Sequence, residues 1–551
     1  MRLGQLDKAG TRGSFVSAIA HNRRSTQMTR FFHTTTQAIK PNTPRYSFSG
    51  TTQTLLLLVV GWLSVAAASP CSFESTTDCN ILDSDRQCQA LCELYSSMGG
   101  AGWNNNSGWG GGSDPASGTW FGLNVHDGDR NPATSVMQVN LISNNIRGTL
   151  PESFAGLTNL SRLDFTEGAL SGSIPSSLSG ATTLQILRGG NNKISGSIPH
   201  SIYQLTALNQ LELDDEMISG TIDSALSQLT SMERLRLHNC PVSGYIPFGI
   251  SSLTALRIIS NYGMRLSGSL PNISTTTSIK YISLSGSNIS GSIPYFIYQL
   301  TALKDLSLDS NLLSGTIDSA LSQLTSMELL WLDNCPLSGY IPFGVSSLTA
   351  LGIIENYDMR LSGSLPNIST LTSITHISLS GYNIQSNISG TIEGFINQIQ
   401  SLSALSVIYM AKGKVSGTLP IEQGVLNKAV TLMSFSKHRF SGLVPISFSM
   451  YPNVQIMQWD LNSNISGTIP SAFGSLTALR QMFLGNCSVS GTIPSELGKS
   501  STIVLLDLHS NKLSGSSAPE FSSWHTLILI SLFGNSVDWD LALIYHWKQI
   551  Q

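Results

Sequence analysis

Charged side chains and catalytic signatures are both scarce in this sequence of 551 residues. Asp, Glu, Lys and Arg make up only 11% of it, and it contains no His-Glu-x-x-His, Cys-x-x-Cys or Gly-x-Ser-x-Gly motif and no dinucleotide-binding glycine cluster. Gly498-Lys499-Ser500 is similar to the end of a phosphate-binding loop, but Ile493 stands where such a loop must begin with glycine. These absences favour a protein that is not an enzyme and that uses no cofactor or metal ion.

Long apolar runs are also rare, and the main one lies near the start of the chain. Residues 54–68 are mostly apolar, follow a basic segment and end in Ala66-Ala67-Ala68, which is the pattern of a secretory signal. Because a long segment precedes this run, three interpretations stay open: a secretory signal whose start site is assigned too early, an uncleaved signal anchor, and an organelle leader. We interpret residues 1–69 as a basic leader plus a secretory signal or signal anchor, and we expect a secreted or cell-surface protein.

The charge changes sign after this leader. Residues 1–69 carry eight basic and one acidic side chain, whereas the remaining residues carry 22 basic and 32 acidic side chains. Nucleic-acid binding requires a basic stripe or patch. The composition therefore argues against a nucleic-acid partner, and a membrane partner is expected only if the leader is an uncleaved anchor.

The seven cysteines fall into two groups. Cys71, Cys79, Cys88 and Cys92 crowd the start of the predicted mature chain, and an even number in a small region predicts two disulfides in an oxidising compartment, with the pairing undecided. Cys240, Cys335 and Cys487 lie several repeats apart, so they are not expected to bind a metal ion. At their common position in the repeat, a buried thiol acts as a small apolar residue with a weak donor.

Sixteen variants of Leu-Ser-Gly-Ser-Ile-Pro give the chain a period near 24 residues. Their glycines stand at 148, 172, 196, 220, 244, 268, 291, 315, 339, 363, 390, 417, 442, 467, 491 and 515. A unit of this length cannot bury its apolar face alone and must stack on its neighbours, so the repeat predicts a solenoid. In the unit around Asn511, Leu506 and Leu508 alternate with Asp507 and predict a short strand with one buried face.

Four residues before each repeat glycine is a position expected to point inward and to bond neighbouring turns of backbone. Asn144, Asn192, Asn311 and Asn511 occupy it, as do the three cysteines above, while Glu216, Met264, Met359 and His438 are among the residues that depart from this pattern. The pattern resembles the plant-type leucine-rich repeat family, Leu-x-x-Leu-x-Leu-x-x-Asn-x-Leu-Ser-Gly-x-Ile-Pro. The resemblance implies an α/β repeat solenoid, a curved leucine-rich repeat superhelix of about sixteen repeats with a parallel β-sheet on its concave face. It also implies a cysteine-containing N-terminal cap at 70–138, repeats at 139–520 and a C-terminal cap at 521–551.

An internal duplication indicates where a ligand binds. Residues 196–290 and 291–385 are two copies of four repeats that differ at 22 of 95 positions, and the twenty outward strand positions hold twelve of these differences. Exposed positions drift freely, but an exposed turn of the first copy, residues 224–231, recurs unchanged at 319–326. We therefore favour selection for different contacts on the concave face, with exposed aromatic side chains as anchors. The candidate ligand-binding residues are Glu212, Asp214, Arg234, Arg236, His238, Tyr262, Asp309, Trp331, Asp333, Glu355, Tyr357, Asp358, Tyr409 and Phe483.

The expected function is recognition of a protein or peptide ligand, with a role in signalling or defence. Eight Asn-x-Ser/Thr acceptors support secretion; they are Asn105, Asn159, Asn272, Asn288, Asn367, Asn387, Asn464 and Asn486. An alternative is a structural or matrix protein that binds ice or polysaccharide along a row of threonines, which runs from Thr158 to Thr349. The resemblance extends to polygalacturonase-inhibiting proteins and to ectodomains of receptor kinases, so inhibition of a wall-degrading hydrolase is a more distant alternative.

Overall fold

The chain divides into two units, Met1–Pro70 and Cys71–Gln551, and all residues described below belong to the second. A computed structural model describes residues 85–109, 120–126, 135–355, 359–379, 387–389, 392–399, 401–411, 414–419 and 429–538. The predicted leader lies outside these residues, as do Cys71, Cys79, Tyr357 and Asp358.

An amphipathic helix and a group of tryptophans cover the N-terminal end of the core. The helix Asp85–Ser97 buries Leu91 and Leu94. Trp103, Trp109 and Trp120 are buried next to it, and ring centroids 5.1 Å apart join the first two in an edge-to-face contact. Such rings bury a large apolar area and close the end of a stack that would otherwise expose its core. Cys88 and Cys92 of this helix are both disulfide-bonded.

One long sheet runs through the whole unit. It has 18 strands, of which the first pairs antiparallel with the second and all later pairs are parallel. Most of its strands have three residues, with a buried middle residue between two outward ones, as the period of two requires. The strands are Leu123–His126, Ser135–Asn140, Arg162–Asp164, Ile186–Arg188, Gln210–Glu212, Arg234–Arg236, Ile258–Ser260, Tyr281–Ser283, Asp305–Ser307, Leu329–Trp331, Ile353–Glu355, His376–Ser378, Val407–Tyr409, Leu432–Ser434, Ile456–Gln458, Gln481–Phe483, Leu505–Asp507 and Leu529–Ser531.

A second row of short strands follows the main one, and its members pair in parallel within several separate small sheets. These lateral strands are Arg147–Thr149, Ala169–Ser171, Ser195–Gly196, Met217–Ile218, Ser243–Gly244, Arg265–Gly268, Asn288–Gly291, Leu312–Leu313, Ser338–Gly339, Arg360–Ser364, Asn387–Ser389, Ser416–Thr418, Arg439–Leu443, Asn464–Thr468, Ser488–Gly491, Lys512–Ser516 and Ser536–Asp538. Repeat glycines lie in this row, and the reason is visible at Gly515. Its φ is +86°, and a Cβ there would come within 2.7 Å of the Thr492 methyl group.

A 3-10 helix on the convex side completes most repeats. It usually begins after the repeat proline, whose missing N–H group costs nothing at the start of a helix. These helices are Gly100–Gly102, Glu152–Gly156, Ser176–Gly180, His200–Gln204, Ser224–Gln228, Phe248–Ser252, Tyr295–Gln299, Ser319–Gln323, Phe343–Ser347, Ile446–Met450, Ser471–Ser475, Ser495–Lys499 and Pro519–Ser523. In one repeat of 27 residues, the eight-residue α-helix Ile392–Ile399 takes the same place, because the added length allows a wider turn.

The inward position four residues before each repeat glycine ties consecutive repeats together. At Asn311, Oδ1 accepts a hydrogen bond from the Ile289 amide at 3.1 Å, and Nδ2 donates to the carbonyls of Leu284 and Leu308 at 2.9 Å. The side chain thereby pairs backbone groups that the tight turn cannot pair itself. The solenoid with a parallel concave sheet is confirmed. We call the outward side of the 18-stranded sheet the concave face from here on.

The three cysteines at this inward position are free and buried, as predicted. Their Sγ atoms donate to the carbonyls of Leu213, Leu308 and Trp459 at 3.0, 3.2 and 3.5 Å. Burial raises the pKa of Cys335 to about 11, because the thiolate would lose its hydration.

Native protein is therefore expected to show slow alkylation at Cys240, Cys335 and Cys487, and denaturation is expected to make all three react at once. Labelling with a maleimide at pH 8, followed by peptide mass spectrometry, measures this. Rapid native labelling of Cys335 would contradict the inward register.

The regular stack extends beyond the predicted boundary at residue 520. The lateral strand Ser536–Asp538 pairs with Lys512–Ser516. Before it, Asn535 repeats the inward bonding: its Oδ1 accepts from the Leu513 amide, and its Nδ2 donates to the Leu508 carbonyl at 2.9 Å. The signal for this last unit is present in the sequence as Leu-Phe-Gly-Asn-Ser-Val, which has the asparagine but lacks the Ser-Gly pair.

Candidate ligand-binding face

The concave face of the first copy, together with the strand that precedes it, carries a group of ion-paired side chains. In the strand Arg234–Arg236, Leu235 is buried and both arginines face outward. The Arg236 guanidinium lies between two acids, with 3.7 Å from Nη1 to Glu212 Oε2 and 3.4 Å from Nε to Asp214 Oδ2. On the other side of Glu212, Arg188 Nη2 approaches Oε1 at 3.5 Å. We call Arg188, Glu212, Asp214, Arg236 and His238 the charged cluster.

An imidazole connects this cluster to an aromatic ring. His238 Nδ1 is 2.9 Å from Asp214 Oδ1, so protonation of the ring would give an ion pair there. The same ring stacks on Tyr262, with centroids 4.4 Å apart and planes 13° from parallel. Stacking of this kind holds both rings in one orientation and offers a preformed surface to a ligand.

The second copy offers a different surface on the same backbone. Trp331 takes the place of Arg236, and its Cα partners on the adjoining strands are Ser307 and Glu355. Trp331 is half-buried, whereas its neighbours Leu330 and Leu332 are 5% and 1% exposed. The expectation that Trp331 is largely exposed is therefore only partly met, because adjoining side chains cover part of its ring.

Three candidate residues are buried although they belong to the outward set. Asp214, His238 and Asp333 are 9%, 6% and 5% exposed. The prediction that outward positions are open to solvent is wrong for these three, because they lie just beyond the strand end, where side chains of adjoining repeats cover them. Asp214 contacts both Arg236 and His238, so it orients exposed members of the face rather than providing contact area itself.

The other candidate residues have varied positions. Arg234, Asp309, Tyr409 and Phe483 are half-buried and Tyr262 is exposed. Trp331 and Tyr409 stand three strands apart, as do Tyr409 and Phe483, which at about 4.8 Å per strand separates each pair by roughly 14 Å. The structure does not bring these aromatics together in one pocket. The Glu355 backbone is described but its side chain is not, and Tyr357 and Asp358 lie outside the described residues.

Two features of this face are missing from the candidate residues. Tyr281 is exposed on the strand Tyr281–Ser283, and it is one of the outward positions at which the two copies differ, with His376 in the second copy. Towards the C-terminal end, His509 contacts Asp507 and stacks on Phe533 with centroids 4.8 Å apart. The alternation of Asp507 and His509 around a buried leucine is the only sequence signal for this group.

An acidic side chain lies at the inward position behind the charged cluster. Glu216 is 3% exposed, and its two oxygens accept from the amides of Asn192 and Ile194 at 2.6 Å each. Burial raises its pKa to about 8, and the two amide hydrogen bonds oppose this shift. The carboxyl replaces the usual asparagine by accepting two bonds at the place where asparagine accepts one.

A large open groove of about 1050 Å³ lies away from the concave face. It runs along the lateral strands of the last repeats, between Leu443 and Pro519, and is lined mainly by Ile, Pro, Ser and Thr. No cluster of His, Cys, Asp and Glu suited to a metal ion occurs in the part of the chain that the structure describes. Within those same ranges, the helices are all too short or too polar to cross a membrane.

Comparison with known proteins identifies the class of this solenoid. No family model and no curated protein matches the sequence. Among solved structures, a TDR receptor is 26% identical, with a TM-score of 0.68 over 72% of this chain and 68% of that chain. The plant peptide hormone receptor RGFR1, in complex with RGF2, is 25% identical, with a TM-score of 0.60 over 72% of this chain and 70% of that one.

The Arabidopsis receptor kinase HAESA, in complex with the peptide hormone IDA and the co-receptor SERK1, has the same fold. It is 24% identical, with a TM-score of 0.57 over 82% of this chain and 86% of that chain. All three neighbours are named as receptors. The chain is a leucine-rich repeat solenoid, and its repeats are of the plant type.

Proposed function

We propose that this chain is a secreted or cell-surface module that binds a protein or peptide ligand on its concave face. The observation that carries the proposal is the contrast between the two copies, which share one backbone and present the charged cluster in one case and Trp331 in the other. Drift at exposed positions would also exchange Arg236 for Trp331 while Leu235 and Leu330 stay the same buried residue, but it would equally change the exposed turn 224–231, which recurs unchanged at 319–326.

The chemistry of the face supports a ligand of mixed character. Arg234 forms no ion pair within the described residues, so its guanidinium is available to an anionic group of a ligand. Trp331 and Tyr262 offer flat apolar area with little loss of side-chain entropy on binding, which is typical of residues that dominate interfaces. The ion pairs of Arg236 hold that side chain in place before a ligand arrives, which lowers the entropic cost of binding.

The named neighbours support the same class of ligand. The peptide hormone receptor RGFR1 is in complex with RGF2. Because this chain shares the fold of RGFR1 and a quarter of its aligned residues, we extend peptide recognition to this chain as part of the proposal. A role in signalling or defence belongs to the same proposal. Polysaccharide or ice binding, with the row from Thr158 to Thr349, and inhibition of a hydrolase are the alternatives that the experiment must separate.

The test is capture of partners from native extracellular fluid with residues 70–551, followed by mass spectrometry. The informative variant carries Glu212→Ser, Arg234→Leu and Arg236→Trp, which gives the first copy the residues of the second. Because the second copy already folds with those residues, we expect an unchanged melting temperature and about a tenfold or greater loss of affinity for the captured partner, equivalent to about 1.4 kcal/mol.

A variant of the lateral side, Tyr245→Ser, is the matched control and is expected to retain the partner. Unchanged affinity in the triple variant would contradict recognition by this face. Binding to insoluble polymer that survives the triple substitution would favour the structural alternative instead.

A further inference from the structure

Two apolar patches lie on the lateral and convex sides of the solenoid, away from the concave face. Phe248 is 73% exposed and Phe343 is 68% exposed, and each stands three residues after an exposed tyrosine, Tyr245 or Tyr340. They occupy equivalent places in the two copies, at the start of the 3-10 helices Phe248–Ser252 and Phe343–Ser347. Exposed apolar side chains that lie together often mark a surface that another group covers.

The next repeat places a glycosylation acceptor beside each phenylalanine. Thr275 Oγ1 donates to the Ser251 carbonyl at 2.5 Å, across an interval of 24 residues. The same interval separates Phe248 from Asn272, so the register of this contact indicates that the two residues lie near each other on adjoining turns. In the second copy Thr370 Oγ1 donates to the Ser346 carbonyl at 2.6 Å, which indicates the same for Asn367 and Phe343.

The backbone around Asn272 and Asn367 leaves space for a glycan, and their side-chain Nδ2 atoms are available. The repeats that hold Asn272 and Asn367 have no 3-10 helix between their lateral and main strands, in segments described without a gap. Asn272 Oδ1 accepts from the Ser274 amide at 3.0 Å, and Asn367 Oδ1 accepts from the Ser369 amide at 3.1 Å. Both side chains are exposed, and neither Nδ2 forms a hydrogen bond within the described residues.

Other acceptors differ in these respects. Asn159 Nδ2 donates to Ser135 Oγ at 2.8 Å, and Asn486 Nδ2 is 2.7 Å from His509 Nε2, so both nitrogens are engaged. Asn288 and Asn464 are exposed on lateral strands, where their partners in the strand register are Ser267 and Ser441. Asn105 is half-buried, and the Asn387 side chain lies outside the described residues. Only Asn272 and Asn367, among the described acceptors, combine exposure with an adjoining bare aromatic ring.

We infer that Asn272 and Asn367 carry N-linked glycans whose first sugars lie on the rings of Phe248 and Phe343. The sugar donor is a lipid-linked oligosaccharide. Its anomeric carbon forms a bond to the asparagine Nδ2, which loses one proton. The anomeric C–O bond to the lipid diphosphate breaks at the same time, and the lipid diphosphate leaves with the electron pair. The C–H face of the sugar then covers the ring, while its hydroxyls face water. This inference needs passage through the secretory pathway but is independent of any ligand on the concave face.

The test uses the full chain produced in a secreting eukaryotic cell. Glycopeptide mass spectrometry is expected to find Asn272 and Asn367 occupied. Asn272→Gln is expected to lower the melting temperature and to increase binding of a hydrophobic dye. Both effects are expected to vanish in a Phe248→Ser background, because no ring is left for the sugar to cover. That variant is expected to fold, since the preceding repeat has a serine, Ser224, at the equivalent position.

Asn464→Gln is the matched control, because Asn464 is also an exposed glycosylation acceptor but its partner in the strand register is Ser441 and not an aromatic residue. Its effect on melting temperature is expected to be the same with Phe248 or Ser at position 248. Absence of glycan at both Asn272 and Asn367 would overturn the inference, as would an Asn272→Gln effect that persists without Phe248. Dimerisation of the glycosylated protein that is abolished by Phe248→Ser would also overturn it, because a second copy would then be the cover.

Discussion

Leu332→Ala is expected to lower the free energy of unfolding by about 2–5 kcal/mol. Leu332 is 1% exposed inside a stack of buried strand residues, and its loss leaves a cavity that the neighbouring repeats cannot close without shifting. Because stability in a solenoid depends on contacts between adjoining repeats, a cavity in one unit weakens the interfaces on both sides. Urea unfolding of residues 70–551, followed by circular dichroism, measures the change.

The neighbouring Trp331→Ala variant is expected to show the opposite balance. Trp331 is only half-buried, so its removal costs less stability than the removal of Leu332. If the ring is a central anchor, the same substitution is expected to weaken binding of the captured ligand by about 2 kcal/mol or more. Trp331→Arg is a useful companion, because Arg236 occupies the same place in the first copy. We expect it to fold normally and to lose the ligand.

Leu237→Ala is the matched control for the stability arm, since Leu237 is the equivalent buried residue of the first copy and is 0% exposed. It is expected to destabilise as much as Leu332→Ala. Equal destabilisation by Trp331→Ala and Leu332→Ala, or binding of every captured partner that is unaffected by Trp331→Ala, would show that the ring is a core residue and not a contact residue.

His438→Asn is expected to make the protein less sensitive to acid. His438 is 7% exposed at the inward position and stacks on Phe440, with centroids 4.8 Å apart. Burial lowers its pKa to about 4 from an ordinary value near 6.5, because the charged imidazolium would lose its hydration, and the Met410 carbonyl offsets only part of this. The folded protein therefore binds fewer protons than the unfolded chain between pH 4 and 6.5.

The sign of the effect follows from this difference in bound protons. Stability from this residue is fully present above pH 6.5 and is lost as the pH falls towards 4, by about 3 kcal/mol in total. In His438→Asn this part of the pH dependence is expected to disappear, whatever the variant loses in packing against Phe440. Free energies of unfolding measured at intervals from pH 4 to 7.5 test it.

The opposite substitution, asparagine to histidine, can be made at Asn462 in the adjoining repeat. Its Nδ2 donates to the carbonyls of Phe435 and Trp459 at 2.8 Å, and its Oδ1 accepts from the His438 amide at 3.0 Å. Asn462→His is expected to add acid sensitivity and to lower stability at neutral pH, because an imidazole cannot replace all three bonds. A pH profile of His438→Asn identical to that of the unaltered protein would rule out His438 as the titrating group.

Much of the fold could be predicted from the sequence because the determinants are local and periodic. The repeat glycines, the alternation around Leu506 and the inward asparagines each recur every 24 residues or so, and a solenoid uses only neighbouring units to bury them. The inward placement of Cys335 followed from its register alone. The unit around Asn535 was missed because its Ser-Gly pair is absent, although its asparagine bonds in the same way.

Sequence alone thus determined the solenoid, the inward ladder and the outward rows, since each depends on spacing along the chain. Only the tertiary structure decided which outward residues face water, because coverage of Asp214 or Asp333 depends on side chains of adjoining repeats. It also decided that Arg236 lies between two acids and that Trp331 is half-covered. These relations join residues about 24 positions apart, and their geometry comes from stacking, which a linear pattern of residue types does not specify.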